Sequence, residues 1–395
     1  MSSRAIPVLA AASLTQAAAA VGFWSFSLYA PELAAVTGLN ERDFGLSVTF
    51  IFIGAFIGSP FTGAMVRRWG GAGAIVRLFA VMAGAMLLVL SGTWAGTMGA
   101  ALLFGVGYAP QGPIGMTLVT QTAAPARRGL ALSLRHAAVP LSAAIIGRVL
   151  PPLMLVVGWQ AGVLSVTGVL LVALAFSALS APLFRVEAAP PRHQSALGRF
   201  RNLLTVPPEL RFLWGSGLAF ALTQSAVTTF SYLYLLEVAH VSPLVGGIFV
   251  SNLHLTALLG RPALGWLTDR AGNPQAVLAG IAAVTVVTVL ALLQVGPETP
   301  PWMLVPLAIG CGISGQCWNS VFVTAMSFRV EAGDLAELNG RAFAFLSLGW
   351  MSAPPLVWAL IEVSGGYTVP MAGIAVLNVA VVAVLLAASG RERTA

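Results

Sequence analysis

Charged residues are scarce in this sequence, and their scarcity excludes an ordinary soluble domain. Of the 395 residues, 8% are charged and 58% are hydrophobic, and the mean hydropathy is +0.89. Soluble domains carry about 25% charged residues. Because roughly 20 apolar residues in a helix span a bilayer, the chain is long enough for about twelve such helices with short loops. The composition therefore indicates a membrane protein with many spans.

Cysteine and histidine are also rare, which argues against a metal centre or a membrane enzyme. Cys311 and Cys317 lie six residues apart on one predicted helix, face different directions and cannot form a disulfide within it. None of the four histidines begins a metalloprotease pattern, and no Gly-x-Ser-x-Gly occurs. The sequence 105–107, Gly-Val-Gly, lies inside a predicted span and is not a nucleotide loop. We expect no cofactor, no metal and no enzymatic activity.

Lysine is absent, so all 20 basic residues are arginine. The net charge of +7 and the pI near 10.4 would fit a nucleic-acid partner, but the positions of the arginines argue against one. Apolar runs between glycine, proline and charged breaks predict twelve spans, at 8–30, 44–66, 72–92, 97–122, 130–157, 160–183, 212–237, 244–268, 276–296, 302–327, 340–363 and 369–389.

The arginines fall almost entirely on one side of these spans. One side holds Arg42 alone, with the acids Glu32, Glu41, Asp43 and Glu298. The other side collects Arg4, Arg67, Arg68, Arg127, Arg128, Arg185, Arg192, Arg199, Arg201, Arg211, Arg270, Arg329, Arg391 and Arg393. Basic residues concentrate on the cytoplasmic side of membrane proteins. We therefore predict cytoplasmic termini, an inner or plasma membrane location and no nucleic-acid partner.

The longest polar break predicts two domains. Residues 184–211, rich in proline and arginine, are interpreted as a cytoplasmic linker between helical bundles at 1–183 and 212–395. Part of this linker is amphipathic enough to lie along the membrane surface, although a simple solvated tether is the alternative. The N-terminal apolar run resembles a signal peptide but is long for one. We expect it to form the first span.

Corresponding turns in the two halves indicate a duplication. A charged turn at 260–272, Gly-Arg-Pro-Ala-Leu-Gly-Trp-Leu-Thr-Asp-Arg-Ala-Gly, has a degraded copy 202 residues earlier (265 − 63) at 63–70. The start of the fifth span, Arg-Gly-Leu at 128–130, is repeated as Asn-Gly-Arg at 339–341, an offset of 211 (340 − 129). Both of these helices carry prolines further on, at Pro140 and at Pro354 and Pro355.

The turn at 265–272 is similar to the GxLxDRxG signature of the major facilitator superfamily. With twelve spans and a central linker, the resemblance covers essentially the whole chain. It implies an all-α membrane protein of two pseudo-symmetric six-helix bundles around a central cavity, which transports a small solute by alternating access. The lipid bilayer and the solute are then its partners, and we expect a monomer.

The same resemblance assigns a gate to the turn. Asp269 would accept hydrogen bonds from the start of the fifth helix and hold the cytoplasmic side shut, while Gly265 and Gly272 would allow close packing and a sharp reversal. A plain positive-inside turn is the alternative. The first copy has Arg67 where the acid should be, which puts an equivalent latch in doubt. The gating motif comprises Gly265, Asp269, Arg270, Gly272, Arg261, Gly63, Arg68 and Gly70.

Polar residues near mid-membrane are costly and are candidates for solute contacts. The fourth and tenth spans are both interrupted by glycine or proline, as binding-site helices of transporters are, and they carry Gln111 and Gln316 at an offset of 205. These glutamines, Asn319 and Gln224 offer amide groups to a ligand; hydrogen bonding between helices is the alternative.

The ionisable side chains within predicted spans include His254, Arg148 and Arg135. His254 is interpreted as an anion ligand or the carrier of a coupling proton, with a packed structural histidine as the alternative. Arg148 is a candidate partner for a substrate carboxylate, although Glu237 or Glu362 would pair with it equally well. Arg135, near the cytoplasmic end, is interpreted as a side chain that snorkels to the interface.

The substrate class is predicted from an absence. No carboxylate falls in the middle of a predicted span, whereas cation exporters commonly place one there, and the fifth span matches the GPxxGG motif of drug/proton antiporters poorly. These features and the embedded arginine and histidine residues favour a small organic anion. Efflux of drugs or metabolites by the same fold is the alternative, with a non-transporting sensor or a membrane enzyme as hypotheses from other classes.

Overall fold

Helices account for nearly the whole of this computed structural model, which describes residues 5–123, 128–185, 206–327 and 335–394. The fold is all-α, as predicted, because a backbone in lipid must satisfy its hydrogen bonds within each segment. The chain divides into two compact units, residues 1–193 and 194–395. Most of the predicted linker, residues 186–205, lies outside the described residues.

The first unit contains the first six predicted spans. Its helices are α1 (Ala5–Leu28), α2 (Ala30–Thr37), α3 (Glu41–Gly45), α4 (Ser47–Gly58), α5 (Thr62–Val89), α6 (Trp94–Thr122), α7 (Arg128–Val157) and α8 (Trp159–Leu179). The predicted span at 44–66 is divided, since a 3₁₀ turn at Ser59–Phe61 separates α4 from α5.

The second unit contains the other six spans. Its helices are α9 (Arg211–Glu237), α10 (Pro243–Ala271), α11 (Pro274–Leu292), α12 (Leu304–Gly312), α13 (Trp318–Ser327), α14 (Leu335–Ser364) and α15 (Thr368–Thr394). A π-helical turn, Ile313–Cys317, interrupts the predicted span at 302–327 and separates α12 from α13. Short π segments inside helices occur frequently at functional sites.

Glycines in left-handed conformations form the two related turns. Gly70 has φ +70° and breaks the helical path inside α5, so the chain turns between the second and third predicted spans. Gly272 has φ +60° and ends α10, where its N–H donates to the carbonyl of Thr268 at 3.0 Å. A side chain at either position would strain the backbone. The chain therefore turns at both glycines, which are 202 residues apart (272 − 70).

The outer surfaces of the helices are strongly apolar. Val156, Val172 and Leu179 are 69–86% exposed, and in the described residues eight helices are long and apolar enough to cross a membrane. Inside the second unit, a buried cluster surrounds Trp318, whose ring stacks on Phe220 with centroids 5.5 Å apart. Exposed aliphatic side chains of this density suit lipid, not water.

Candidate functional site

An arginine bound to a glutamine in the π-helical turn is the centre of the polar cluster in the second unit. Arg261, on α10, donates from Nε to the backbone oxygen of Gln316 at 3.1 Å and from Nη2 to its Oε1 at 3.2 Å. Gln316 is buried, while Arg261 is half-buried. Among the described residues no carboxylate pairs with Arg261. A cationic side chain inside a membrane helix is expensive without a partner, so this guanidinium is a candidate anion ligand.

Gln224 connects three further side chains to this arginine through Gln316. Its Nε2 donates to Gln316 Oε1 at 3.3 Å. Its Oε1 accepts N–H groups from Trp318 and Trp350, both at 3.1 Å, and from Asn319 at 3.5 Å. The structure therefore brings together three of the predicted ligand residues, Gln224, Gln316 and Asn319. It also places Arg261, which we assigned to the gate, in direct contact with Gln316.

The first unit buries its own arginine. Arg135, on α7, has no exposed surface and donates from Nη2 to Gln16 Oε1 at 2.6 Å. Its Nε and Nη1 are buried and have no hydrogen-bond partner among the described residues. The interpretation of Arg135 as a snorkelling side chain is wrong, because its position near the predicted end of a span gave no information on the helices packed around it.

A glycine on α6, Gly115, leaves room for this guanidinium because it has no side chain. A Cβ at Gly115 would lie 2.7 Å from both Cζ and Nε of Arg135, so only glycine allows the guanidinium to rest against the helix. Gln111, the predicted ligand on the same helix, is buried and donates from Nε2 to Thr15 Oγ1 at 3.3 Å. Its Oε1 is buried and has no partner among the described residues.

A short sequence repeat relates Gln16 of the first unit to Gln224 of the second. Leu-Thr-Gln at 14–16 recurs as Leu-Thr-Gln at 222–224, an offset of 208 that agrees with the others. In each unit the oxygen of this glutamine accepts an N–H from the helix of the fifth or eleventh span, from Arg135 in one and Trp350 in the other. Both donors precede a proline by five residues, Pro140 and Pro355.

The remaining predicted ligands are His254 and Arg148. His254 is buried on α10, seven residues before Arg261 and thus on the same face of the helix. Arg148 is exposed on α7, although a buried guanidinium was expected there. Its part in solute binding stays a prediction, as does that of His254.

The gating residues are placed as follows. The side chain of Asp269 lies outside the described part of the structure, so the latch stays a prediction. Arg270 is exposed and lies over the ring of Trp266, 5.5 Å from its centroid. A Cβ at Gly265 would have no described neighbour within 4 Å, so the close packing expected at this glycine stays a prediction.

The first-half copy of the gate is a cluster of arginine and tryptophan. Arg68 and Arg77 lie over the ring of Trp69, 5.6 and 4.7 Å from its centroid. Arg67 and Gly63 are exposed. These contacts are cation–π interactions, typically worth about 0.5–1 kcal/mol at exposed sites.

Comparison with known proteins identifies the family. The sequence profile of the Major Facilitator Superfamily matches residues 12–354. The chain belongs to this superfamily. Its relatives include the probable nitrate/nitrite transporter NarK2 of Mycobacterium tuberculosis, 28% identical over 376 residues and covering 88% of each chain. Monocarboxylate transporter 13 of Bos taurus is 28% identical over 248 residues, which cover 61% of this chain and 55% of that protein.

Solved structures of the superfamily share the fold. The peptide transporter POT in complex with sulfate has a TM-score of 0.78 at 15% identity and covers 97% of this chain and 94% of that one. A mutant of POT in complex with alafosfalin gives a TM-score of 0.74 at 13% identity, over 96% and 94% of the two chains. This superfamily member is therefore a multi-pass membrane transporter with the twelve-helix fold. It moves a small solute and is not an enzyme.

Proposed function

We propose that the transported solute is a small anion, in the first place an organic acid carried as its carboxylate, and that Arg261 binds it. The observation that supports this most is the half-buried guanidinium of Arg261 on a membrane helix, in contact with amides and with no carboxylate partner among the described residues. A guanidinium binds planar oxyanions through two parallel hydrogen bonds. The anion would replace Gln316 Oε1 as the partner of Nη2.

The chemistry around Arg261 suits an anion better than a cation. The indole groups of Trp318 and Trp350 can only donate hydrogen bonds, and both point at Gln224 in this cluster. A lipophilic cation would find there a positive charge and N–H groups of the wrong polarity. Efflux of cationic drugs is therefore the weaker alternative.

Nitrate or nitrite is the second candidate, favoured by the similarity to NarK2 over most of both chains. Nitrate and carboxylates are small, planar and singly charged, and a guanidinium recognises both through the same two hydrogen bonds. Monocarboxylate transporter 13 points to the organic candidate. Only a direct comparison of ligands separates them.

The topology is part of the same proposal. The arginine asymmetry of the sequence supports cytoplasmic termini and an inner or plasma membrane location. Residues 184–211 would then be the cytoplasmic link between bundles 1–183 and 212–395. We infer a monomer, with a proton as the candidate coupling ion and His254 as the candidate carrier of it.

Ligand-dependent thermal stabilisation of the purified protein tests the proposal. Acetate, lactate, oxalate, nitrate, nitrite and a lipophilic cation would be compared on wild type, Arg261→Gln and Arg77→Gln. A ligand at 100 times its Kd contributes about 2.7 kcal/mol of stability, enough to detect. The expected result is stabilisation by one class of anion, lost in Arg261→Gln and kept in Arg77→Gln, whose arginine is exposed on α5.

Uptake into proteoliposomes of the anion that stabilises the protein would follow. Stabilisation by the lipophilic cation alone, or by anions equally in wild type and Arg261→Gln, would overturn the proposal and put efflux first. Stabilisation by nitrate and not by carboxylates would select the second candidate.

A further inference from the structure

Three N–H groups converge on one oxygen atom in the second unit. The indole Nε1 atoms of Trp318 and Trp350 and the amide Nδ2 of Asn319 all donate to Gln224 Oε1, at 3.1, 3.1 and 3.5 Å. We call these three donors the N–H clamp. They come from α13 and α14, whereas their shared acceptor comes from α9. The three donors of the clamp therefore point at one position, which the Oε1 atom of Gln224 occupies.

An amide oxygen is a poor match for this many donors. It has two lone pairs, and three donors exceed them. Beside this excess of donors, two polar atoms make no hydrogen bond in the described part of the chain. Gln316 Nε2 and Asn319 Oδ1 are buried without hydrogen-bond partners among the described residues. An oxygen carrying negative charge would bind the clamp more strongly, since hydrogen bonds to ionised acceptors are roughly twice as strong as neutral ones.

The donors are fixed in place by packing. Trp318 is fully buried, and its ring stacks on Phe220 at an interplanar angle of 14°. Trp350 has its ring centroid 6.3 Å from that of Trp318, and its backbone oxygen accepts the hydroxyl of Ser225 at 2.9 Å. Donors held in this way lose little entropy when they bind a ligand.

The first unit offers an internal comparison. The repeat-related glutamine, Gln16, also presents its oxygen to a donor from the fifth span, but that donor is the cationic Arg135. In the second unit the donors are the neutral indoles. The cation, Arg261, binds Gln316 Oε1, which also accepts the hydrogen bond from Gln224 Nε2. A small oxyanion in the place of the Gln224 carboxamide would have the clamp on one side and Gln316, with the guanidinium bound to it, on the other.

We propose that the N–H clamp binds one oxygen of the transported anion and that Gln224 Oε1 occupies the place of this oxygen when no anion is bound. This inference rests on the proposed function and adds to it the residues that select a planar oxyanion. A carboxamide has the shape of a carboxylate. The anion therefore exchanges with the side chain of Gln224, and Arg261 turns from Gln316 Oε1 to the second oxygen of the anion.

Two substitutions of Gln224 should change the melting temperature of the unliganded protein, and its stabilisation by anions, in opposite directions. Gln224→Glu places a tethered carboxylate in the clamp, so the unliganded protein melts at a higher temperature and loses its stabilisation by acetate and nitrate. Gln224→Ala leaves the clamp empty, so the unliganded protein melts at a lower temperature and gains more from the same anions. Gln294→Glu is the control for added charge, since Gln294 is exposed just beyond α11.

Removal of single N–H groups tests the clamp without moving charge. Trp318→Phe and Trp350→Phe keep a ring in place and each remove one donor. Each should raise the Kd for the stabilising anion by about tenfold to a hundredfold, the equivalent of one hydrogen bond to a charged acceptor. These variants also keep the proposal testable if a Gln224 variant fails to fold.

The outcomes separate this inference from the proposed function. If Arg261→Gln abolishes anion binding while Gln224→Glu and both phenylalanine variants respond like wild type, the clamp is overturned and Arg261 remains the anion ligand. If none of the five anions stabilises the wild-type protein, both proposals are overturned. Loss of binding in Gln224→Glu and weakened binding in the phenylalanine variants would support the clamp.

Discussion

Replacing Gly115 by alanine should expose how tightly Arg135 is held in the first unit. The new Cβ would lie 2.7 Å from Cζ and Nε of the guanidinium. Arg135 has no exposed surface, so its guanidinium cannot move into solvent. We expect its displacement to break the hydrogen bond that Nη2 donates to Gln16 at 2.6 Å. A buried hydrogen bond from a charged donor contributes about 1.5–3 kcal/mol.

Gly112→Ala is the matched control for this change. Gly112 lies one turn earlier on α6, and a Cβ there would have no described neighbour within 4 Å. Both substitutions gain the same helix propensity, about 1 kcal/mol, so it cancels between them. We therefore expect Gly115→Ala to be about 1.5–3 kcal/mol less stable than Gly112→Ala.

The measurement is the free energy of unfolding from denaturant titrations in detergent micelles, repeated in an Arg135→Ala background. Without the guanidinium, the two alanine variants should differ by less than about 0.5 kcal/mol, because coupling vanishes when one partner is removed. Equal stability of the two variants in the wild-type background would refute the reasoning. So would a difference that survives the removal of Arg135.

Three further predictions concern the gate and the exposed arginine. Asp269→Asn should fold normally and slow solute uptake by proteoliposomes; unchanged uptake at equal protein content would remove the latch. Gly272→Ala should destabilise the protein by about 1 kcal/mol in the same titration because of its left-handed backbone, whereas Gly265→Ala should be neutral or stabilising; equal effects would contradict this view of the turn. Arg148→Gln should change anion binding less than Arg261→Gln does, and the reverse order would place the site at Arg148.

The helices and their turns could be predicted from the sequence because both are local properties. Apolar runs of membrane length specify helices wherever lipid is the solvent. The turn glycines, Gly70 and Gly272, stood at repeat-related places. An interruption of the span at 302–327 was expected from its glycines, but its π-helical form could not be predicted, since a Gly-rich sequence does not specify which hydrogen-bond pattern the turn adopts.

The candidate site was predicted only in part. The sequence selected Gln224, Gln316 and Asn319 because they are amides near the middle of predicted spans. The depth of a residue in the membrane can be estimated from its place in a span. Arg261 was assigned to the gate because it stands in the motif, and Arg135 was misread because depth along a helix does not reveal which neighbours cover a side chain. Trp350 carried no signal at all, as an apolar side chain in an apolar run.

The sequence by itself determined the family, the number of spans and the polar residues that a membrane makes expensive. These follow from the composition, from the lengths of the apolar runs and from the repeat between the two halves. All three can be recognised along the chain without knowledge of contacts between helices. Only the tertiary structure decided which of those residues act together. Contacts such as that between Gln224 and Trp350 join positions 126 residues apart, and the direction of an N–H depends on side-chain packing between helices, which no local pattern records.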